Sequence, residues 1–379
     1  MRLNQRLQNT PPSGIRRIGQ LAKARPGCIA LSIGEPDLDA PMSVRSQISS
    51  AILAGDTHYP PNAGIQPLRD EIAAAVNARF HTDYTGACTV VTIGSTEALA
   101  SAIFAILNPG DEVIVPIPTF GLYQPQIEMA GGTFVPLDIS QDGYQISEAS
   151  LSRLITPRTR AILFASPNNP TGTILSSESL RVIRDAALRH DLFIIADAVY
   201  DSLLYTDHFP TLVGDPALRD RLIYVNAFSK AYAMTGVRIG YALADEPVMT
   251  QMIKAHSFLV VSAPGCIQSG CRGIFSISNA EDIALYRARR DMVCQALDEI
   301  GLPYPEPLGA FYIFPSIKAF GIPDETFCMQ LIEEDGLALV PSSCFGVPGH
   351  VRISFCYDRD VLAEGMNRLR RFADRHRPV

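Results

Sequence analysis

Four stretches of this chain set polar residues inside apolar surroundings. Residues 226–244 read NAFSKAYAMTGVRIGYALA, with one lysine, Lys230, and an arginine, Arg238, eight positions on. The chain has 28 arginines but only four lysines, Lys23, Lys230, Lys254 and Lys318. Arginine therefore carries the surface charge, and a lysine in a small-residue turn between two apolar runs points to amine chemistry. The plain alternative is a surface lysine after a strand. In LFIIADAVY (192–200), Asp197 sits in an apolar run with Tyr200 three residues later. A carboxylate there is costly unless paired. It is either a cap or buried salt bridge, or the partner of a cationic ring nitrogen. No His/Cys/Glu cluster stands beside it, which argues against a metal. After CTVVTIG (88–94) come Ser95 and Thr96 and then a helical pattern. That is a plain N-cap or an anion site made of unpaired helix N–H groups. After RAILFASP (160–167) come Asn168, Asn169, Pro170, Thr171 and Gly172, a turn or a source of an amide donor.

The elements around these residues put them on one edge. Seven short apolar, β-branched runs lie between residues 88 and 244, and helical patterns such as TEALASAIFAIL (96–107) and SESLRVIRDAALRH (177–190) separate many of them. That alternation predicts an α/β fold with a mostly parallel central sheet covered on both faces. Such sheets bind ligands at the carboxyl ends of their strands. A phosphate-binding helix start, an amide donor, a buried carboxylate and an amine would meet there. Together they match the demands of pyridoxal 5'-phosphate (PLP): an amine for its aldehyde, an anion for its ring nitrogen, donors for its phenolic oxygen, and a helix start plus arginine for its phosphate. From about residue 280 the pattern changes to a long charged helix, the strands GAFYIFP (309–315) and HVRISFC (350–356), and a final helix. The expected division is a large domain at 46–279 and a smaller α+β domain from 1–45 and 280–379.

Composition excludes several classes. A net charge of −7 gives no reason to expect nucleic acid or an anionic membrane as partner. No apolar run approaches the roughly 20 residues that span a bilayer. The N-terminus lacks the apolar core of a secretory signal. It is arginine-rich with no acid before Glu35, as in a mitochondrial presequence, but Thr10-Pro-Pro-Ser-Gly reads as mature chain, so the cytoplasm is expected. The eight cysteines show no CxxC pair and are expected to be reduced thiols.

In its motifs the chain resembles the class I/II aminotransferases of the fold-type I PLP enzymes. The matching stretches are GEPD (34–37), YPPNAGIQPLR (59–69), SPNNPTG (166–172), DAVY (197–200), NAFSKAYAMTGVRIGY (226–241), GAFYIFP (309–315) and VRISF (351–355), in family order over about residues 10 to 375. The resemblance implies a homodimer exchanging amino groups between α-amino acids and 2-oxo acids. It implies that Lys230 bonds the cofactor aldehyde and then shuttles the Cα proton, and that Asp197 pairs with the ring nitrogen. Asn169 and Tyr200 would bond the ring oxygen. Ser95, Thr96, Ser229 and Arg238 would hold phosphate, joined by Tyr59 of the partner subunit. Arg352 would bind the substrate α-carboxylate, with Gly34 and Asn169 lining that spot. Phe120 stands where many relatives stack a tryptophan; this chain has none. Val237 and Ala227 also depart from common family residues, and neither change removes a catalytic group.

Two other functions compete. A β-eliminating C–S lyase shares this fold, lysine and cofactor. A non-catalytic PLP-binding sensor domain would follow a DNA-binding module, and only about ten residues precede the resemblance here. For the substrate side chain, Phe120, Tyr123 and Ile15 form a prospective apolar wall, whereas Arg16 or Arg17 would meet an acidic group. The expectation is a neutral or apolar donor with pyruvate or 2-oxoglutarate as acceptor.

Overall fold

A computed structural model describes residues 3–10 and 12–376; Pro11, part of the Thr10-Pro-Pro-Ser-Gly stretch, lies outside the described residues. The first strand, β1 (Ile29–Ala30), stands apart from the main sheet. The main sheet holds β2 (Thr89–Thr92), β3 (Glu112–Ile117), β4 (Thr133–Asp138), β5 (Thr159–Ala165), β6 (Phe193–Asp197), β7 (Leu222–Ala227) and β8 (Gly240–Leu243). The C-terminal part adds β9 (Tyr312–Ile313), β10 (Leu337–Ala338), β11 (Val340–Pro341) and β12 (Val351–Ser354). The main sheet runs β2-β8-β7-β6-β5-β3-β4. Every pairing in it is parallel except the two made by β8.

The central strands are continuous apolar runs because both faces are covered. Successive side chains of a strand point to opposite faces. Ile114, Ile162, Ile194 and Tyr224 accordingly join one core, and Val113, Val115, Leu163, Ile195 and Val225 join another. The first core takes Leu68 and Ile72 from helix Gln66–Phe80 and Leu180 and Ile183 from helix Ser177–His190. The second takes Ala98 and Ile103 from helix Gly94–Ile106 and Met249 and Met252 from helix Glu246–Val260.

Another core lies in the C-terminal part. Helix Ala280–Ile300 buries Tyr286, Val293, Leu297 and Ile300, a helical stripe, before Gly301 ends it in the left-handed conformation. Helices Asp324–Asp335 and Arg359–His376 add Phe327, Leu331, Leu369 and Phe372. The same core takes Ile18 and Leu31 from the N-terminal segment, and β1 pairs in parallel with β10. It also takes Val199, Tyr200 and Ala227 from the carboxyl edge of the main sheet, so that edge forms one wall of it.

Several strands are shorter than their apolar runs. β7 stops at Ala227, the chain turns helical over Phe228–Ala231, and β8 starts only at Gly240. GAFYIFP is extended only at Tyr312–Ile313, because Ala310 takes a positive φ before it and Pro315 follows. All eight cysteines are unpaired. No described helix is long and apolar enough to cross a membrane, and no described His/Cys/Asp/Glu group suits a metal.

Candidate active site

Lys230 lies on the short helical turn after β7 and is partly buried. Its Nζ donates to the Gly34 carbonyl at 2.6 Å and sits 5.8 Å from the centre of the Phe311 ring. Burial pulls the ammonium down to about 8; Arg352 and Arg238 act the same way, while Cys356 and Glu35 oppose them. The 34–37 segment is held over the lysine from two sides. Thr235 donates to Glu35 at 2.9 Å, and Arg289 grips Asp37 with two bonds of 2.7 and 2.8 Å. Gly34 must be glycine for a steric reason: a Cβ there would land 1.7 Å from the Tyr312 hydroxyl oxygen.

Asp197 ends β6 and is buried. Its Oδ2 accepts from the Tyr123 hydroxyl at 2.7 Å and its Oδ1 from the Val199 N–H at 3.2 Å. Burial pushes its carboxyl up to about 6; the Tyr123 and Val199 bonds pull it down, Asp201 pushes it up and Lys230 pulls it down. Tyr200 is also buried, its hydroxyl 2.8 Å from that of Tyr312. Burial, then Tyr312, push its ionisation well above the usual range, so the phenol keeps its proton.

An anion cradle stands beside this group. Helix Gly94–Ile106 follows β2, and no side chain caps its start. The first N–H groups of a helix lack intrahelical partners and carry the positive end of its dipole. Ser95 lies in that turn partly buried, with Thr96 exposed beside it. Arg238 closes the cradle: its Nη2 lies 2.6 Å from where a Gly94 side chain would begin. Arg238 reaches this edge because β8 is antiparallel, which brings its starting end beside the carboxyl ends of its neighbours. Ser229 is buried one residue before Lys230, and Phe120 is half-buried after β3 with its ring 6.0 Å from that of Tyr123.

Arg352, on β12, is 2% exposed. Its Nη1 donates to Asn169 Oδ1 at 2.8 Å and its Nη2 to the Ser32 carbonyl. The guanidinium packs 4.5 Å from the Tyr312 ring centre and 4.9 Å from that of Phe345. Its Nε has no partner, and no carboxylate pairs with it among the described residues. Val351, Ile353 and Phe355 are buried in the C-terminal core. Tyr59 does not join the group within one chain; it is 86% exposed.

A lowered amine, a buried carboxylate and a helix start with an arginine beside it thus meet along one sheet edge, facing a buried guanidinium that has no carboxylate partner among the described residues. Residues 26–369 match the family model described as aminotransferase class I and II. The chain belongs to that aminotransferase family. It is 37% identical over 379 residues to the putative aminotransferase YugH of Bacillus subtilis, covering 98% of each chain. It is 35% identical to aromatic-amino-acid aminotransferase 2 of Thermococcus litoralis, covering 97% of each. The solved aspartate aminotransferase of Thermotoga maritima superposes with a TM-score of 0.94 at 35% identity, covering 98% of this chain and 100% of that one.

Three features of this edge escape a sequence reading. The sequence points Tyr123 to an apolar wall, but its hydroxyl is spent on Asp197; the ring is apolar and the tip is not. Tyr312 packs against Gly34, Tyr200 and Arg352 together, and its place in the GAFYIFP stretch is the only sequence signal for it. Glu97, in the first turn of the cradle helix, accepts from the Ile93 N–H at 3.2 Å and from Ser101 at 2.6 Å, and buried His256 lies 3.0 Å from both its oxygens. No local pattern announces that pair.

Proposed function

We propose that this aminotransferase uses PLP to exchange an amino group between an α-amino acid and a 2-oxo acid, and that the residues above are its site. The observation that carries the reading is Arg352. A guanidinium buried without a carboxylate is costly unless a ligand supplies the charge. The planar fork suits a substrate α-carboxylate, bound by two parallel hydrogen bonds.

The cofactor fits the rest. Ser95, Thr96, Ser229 and Arg238 would hold its phosphate, Asp197 its ring nitrogen, Asn169 and Tyr200 its ring oxygen, and Phe120 its face. Bound there, PLP supplies the electron sink for the negative charge that develops at the substrate Cα. Lys230 Nζ, with its proton affinity lowered by burial, takes the Cα proton as general base and returns it. Gly34 leaves room beside the carboxylate site.

A second copy of the chain completes the site in this proposal. Leu53, Tyr59 and Phe258 are each 86% exposed, with Leu259 and Val261 partly so. Asn62 bonds Ser257 and the Val261 carbonyl at 2.9 Å and so ties the Tyr59 segment to the Phe258 helix end. His256, two residues before Phe258, touches Glu97 of the cradle helix. The helix that carries Phe258 therefore packs on the cradle helix, and the partner's Tyr59 would reach the phosphate from this side. The cytoplasm is the proposed compartment.

For the donor, a neutral or apolar side chain fits best. Ile15 packs against the cluster of Ile117, Phe314, Val340, Phe345 and Val347, and Arg17 is engaged by Glu325 at 3.1 Å. The test is a panel of amino donors against pyruvate and 2-oxoglutarate, read by the cofactor's absorbance change. Alanine, methionine or phenylalanine should react at least as well as aspartate; a strong preference for aspartate refutes the donor assignment. Arg352→Lys should raise KM for amino acids by about tenfold or more, since lysine lacks the fork, while the bound cofactor's spectrum stays unchanged. Ammonia and pyruvate from cystathionine without any 2-oxo acid would instead mark the C–S lyase.

A further inference from the structure

The Tyr123–Asp197 contact goes beyond the roles assigned above, and its interpretation rests on the PLP reading. Asp197 is acceptor-only when ionised, and the protein offers it two donors. One is the Val199 N–H at 3.2 Å, on the backbone just past the aspartate. The other is the Tyr123 hydroxyl at 2.7 Å, 74 residues away in sequence. Tyr123 is 1% exposed; its ring packs in the core with Ile127 and Leu163, so its position is set by packing. We propose that Tyr123 is a positioning residue that holds Asp197 ionised and fixes its rotation for the cofactor ring nitrogen.

The physical argument has two parts. A carboxylate in a buried site tends to neutralise itself by taking up a proton. A donor on one oxygen opposes this by favouring the charged form. The donor must also remain a donor. Burial and the neighbouring Asp197 charge push the Tyr123 phenol well above its usual range, so it keeps its proton. The remaining charged groups around Asp197 are Asp201, which raises its proton affinity, and Lys230, which lowers it. Tyr200 is protonated. Without the Tyr123 hydroxyl, Asp197 would carry a proton at a higher pH than its present value of about 6. The rotation matters as well. With Oδ2 committed to Tyr123 and Oδ1 to Val199, the carboxylate plane is defined before any ligand arrives, and no reorganisation is needed when the ring nitrogen docks.

The experiment titrates apoenzyme with PLP between pH 5 and 8 and reads bound cofactor by absorbance. Four proteins are compared: wild type, Tyr123→Phe, Asp197→Ala and the double variant. Phenylalanine keeps the ring in its cluster and deletes only the hydroxyl. Tyr123→Phe should weaken PLP binding by about tenfold at pH 7, the scale of a buried hydrogen bond to a charge. Its affinity should begin to fall at a higher pH on acidification than wild type does, because the required carboxylate is protonated earlier. On the Asp197→Ala background the same substitution should change affinity little, since the tyrosine acts through the aspartate. Equal affinity and equal acid limbs in Tyr123→Phe and wild type would overturn the proposal. So would a loss of the same size with and without Asp197, the mark of a merely structural tyrosine. A wild-type apoenzyme that fails to bind PLP would overturn the cofactor reading instead, so the two failures are distinguishable.

Discussion

A lysine that must act as a base near neutral pH needs surroundings that disfavour its ammonium form. Lys230 has them in burial and in the two guanidinium groups of Arg352 and Arg238. With the ammonium at about 8, roughly a tenth of the amines are neutral at pH 7, against about 0.03% for an ordinary lysine. The sign follows directly: the amine becomes available as pH rises through 8 and is lost below it. Capture of PLP by the apoenzyme should therefore quicken with pH and level off above about 8. Lys230→Ala should still bind PLP through the cradle, but borohydride should no longer fix it to the protein. Reduction that still attaches cofactor, to Lys23, Lys254 or Lys318, would place the reactive amine elsewhere.

Elements act by bringing chain ends together. The cradle depends on β8 lying close against the start of helix Gly94–Ile106. A Cβ at Gly240 would meet the Gly94 carbonyl carbon and the Ser95 nitrogen at 2.7 Å, and the Asn226 oxygen at 2.9 Å. Those are backbone atoms of the helix start and of β7, and none can swing aside. Gly240→Ala should push β8 away from the helix start and cost about 1–3 kcal/mol in urea unfolding, the range of an overpacked core. It should also weaken PLP binding by about tenfold or more, since Arg238 rides on the same strand end. Gly236→Ala is the control: it lies in the turn before Arg238, but its added methyl meets nothing within 4 Å. Equal effects of the two substitutions would show that close approach at Gly240 is not what sets the cradle.

At the scale of the whole molecule, the main-sheet cores and the C-terminal core meet along one edge, and the large side chains of Tyr59 and Phe258 are left uncovered. The proposed division at 46–279 against the two terminal segments rests on those cores: Ile18 and Leu31 pack with residues after 280, while Leu68 to Ile274 fill the main-sheet core. The patch around Tyr59 and Phe258 gives a test of the proposed homodimer. Lys230→Ala and Tyr59→Ala chains, each inactive alone, are mixed and allowed to exchange subunits. Random pairing makes half the dimers mixed, and each mixed dimer has one intact site of two, so recovery should approach about a quarter of wild-type activity. No recovery in a mixture shown to contain heterodimers would deny the shared site, and a fully active monomer would deny the dimer itself.

What the sequence alone determined was the part governed by local physics. Short continuous runs rich in β-branched residues, alternating with helical patterns, favour strands covered on both sides, so the α/β class was readable from CTVVTIG, RAILFASP and LFIIADAVY. A polar residue just past such a run lies at a sheet edge, which located Lys230, Asp197, Asn169 and Ser95. The motif resemblance supplied Arg352 and Tyr59, which no strand-end rule reaches. Tertiary structure decided what depends on approach between distant segments. The reversal of β8 carries Arg238 to the cradle, because its direction is set by pairing with β2 and β7 and not by its own residues. Tyr123 looks apolar in sequence, and only the folded chain shows its hydroxyl on a carboxylate 74 residues away. Glu97 and His256, 159 residues apart, meet by helix packing alone. Backbone preference and burial pattern are written within a few residues of each position, whereas a hydrogen bond between side chains is written only in the distance between them.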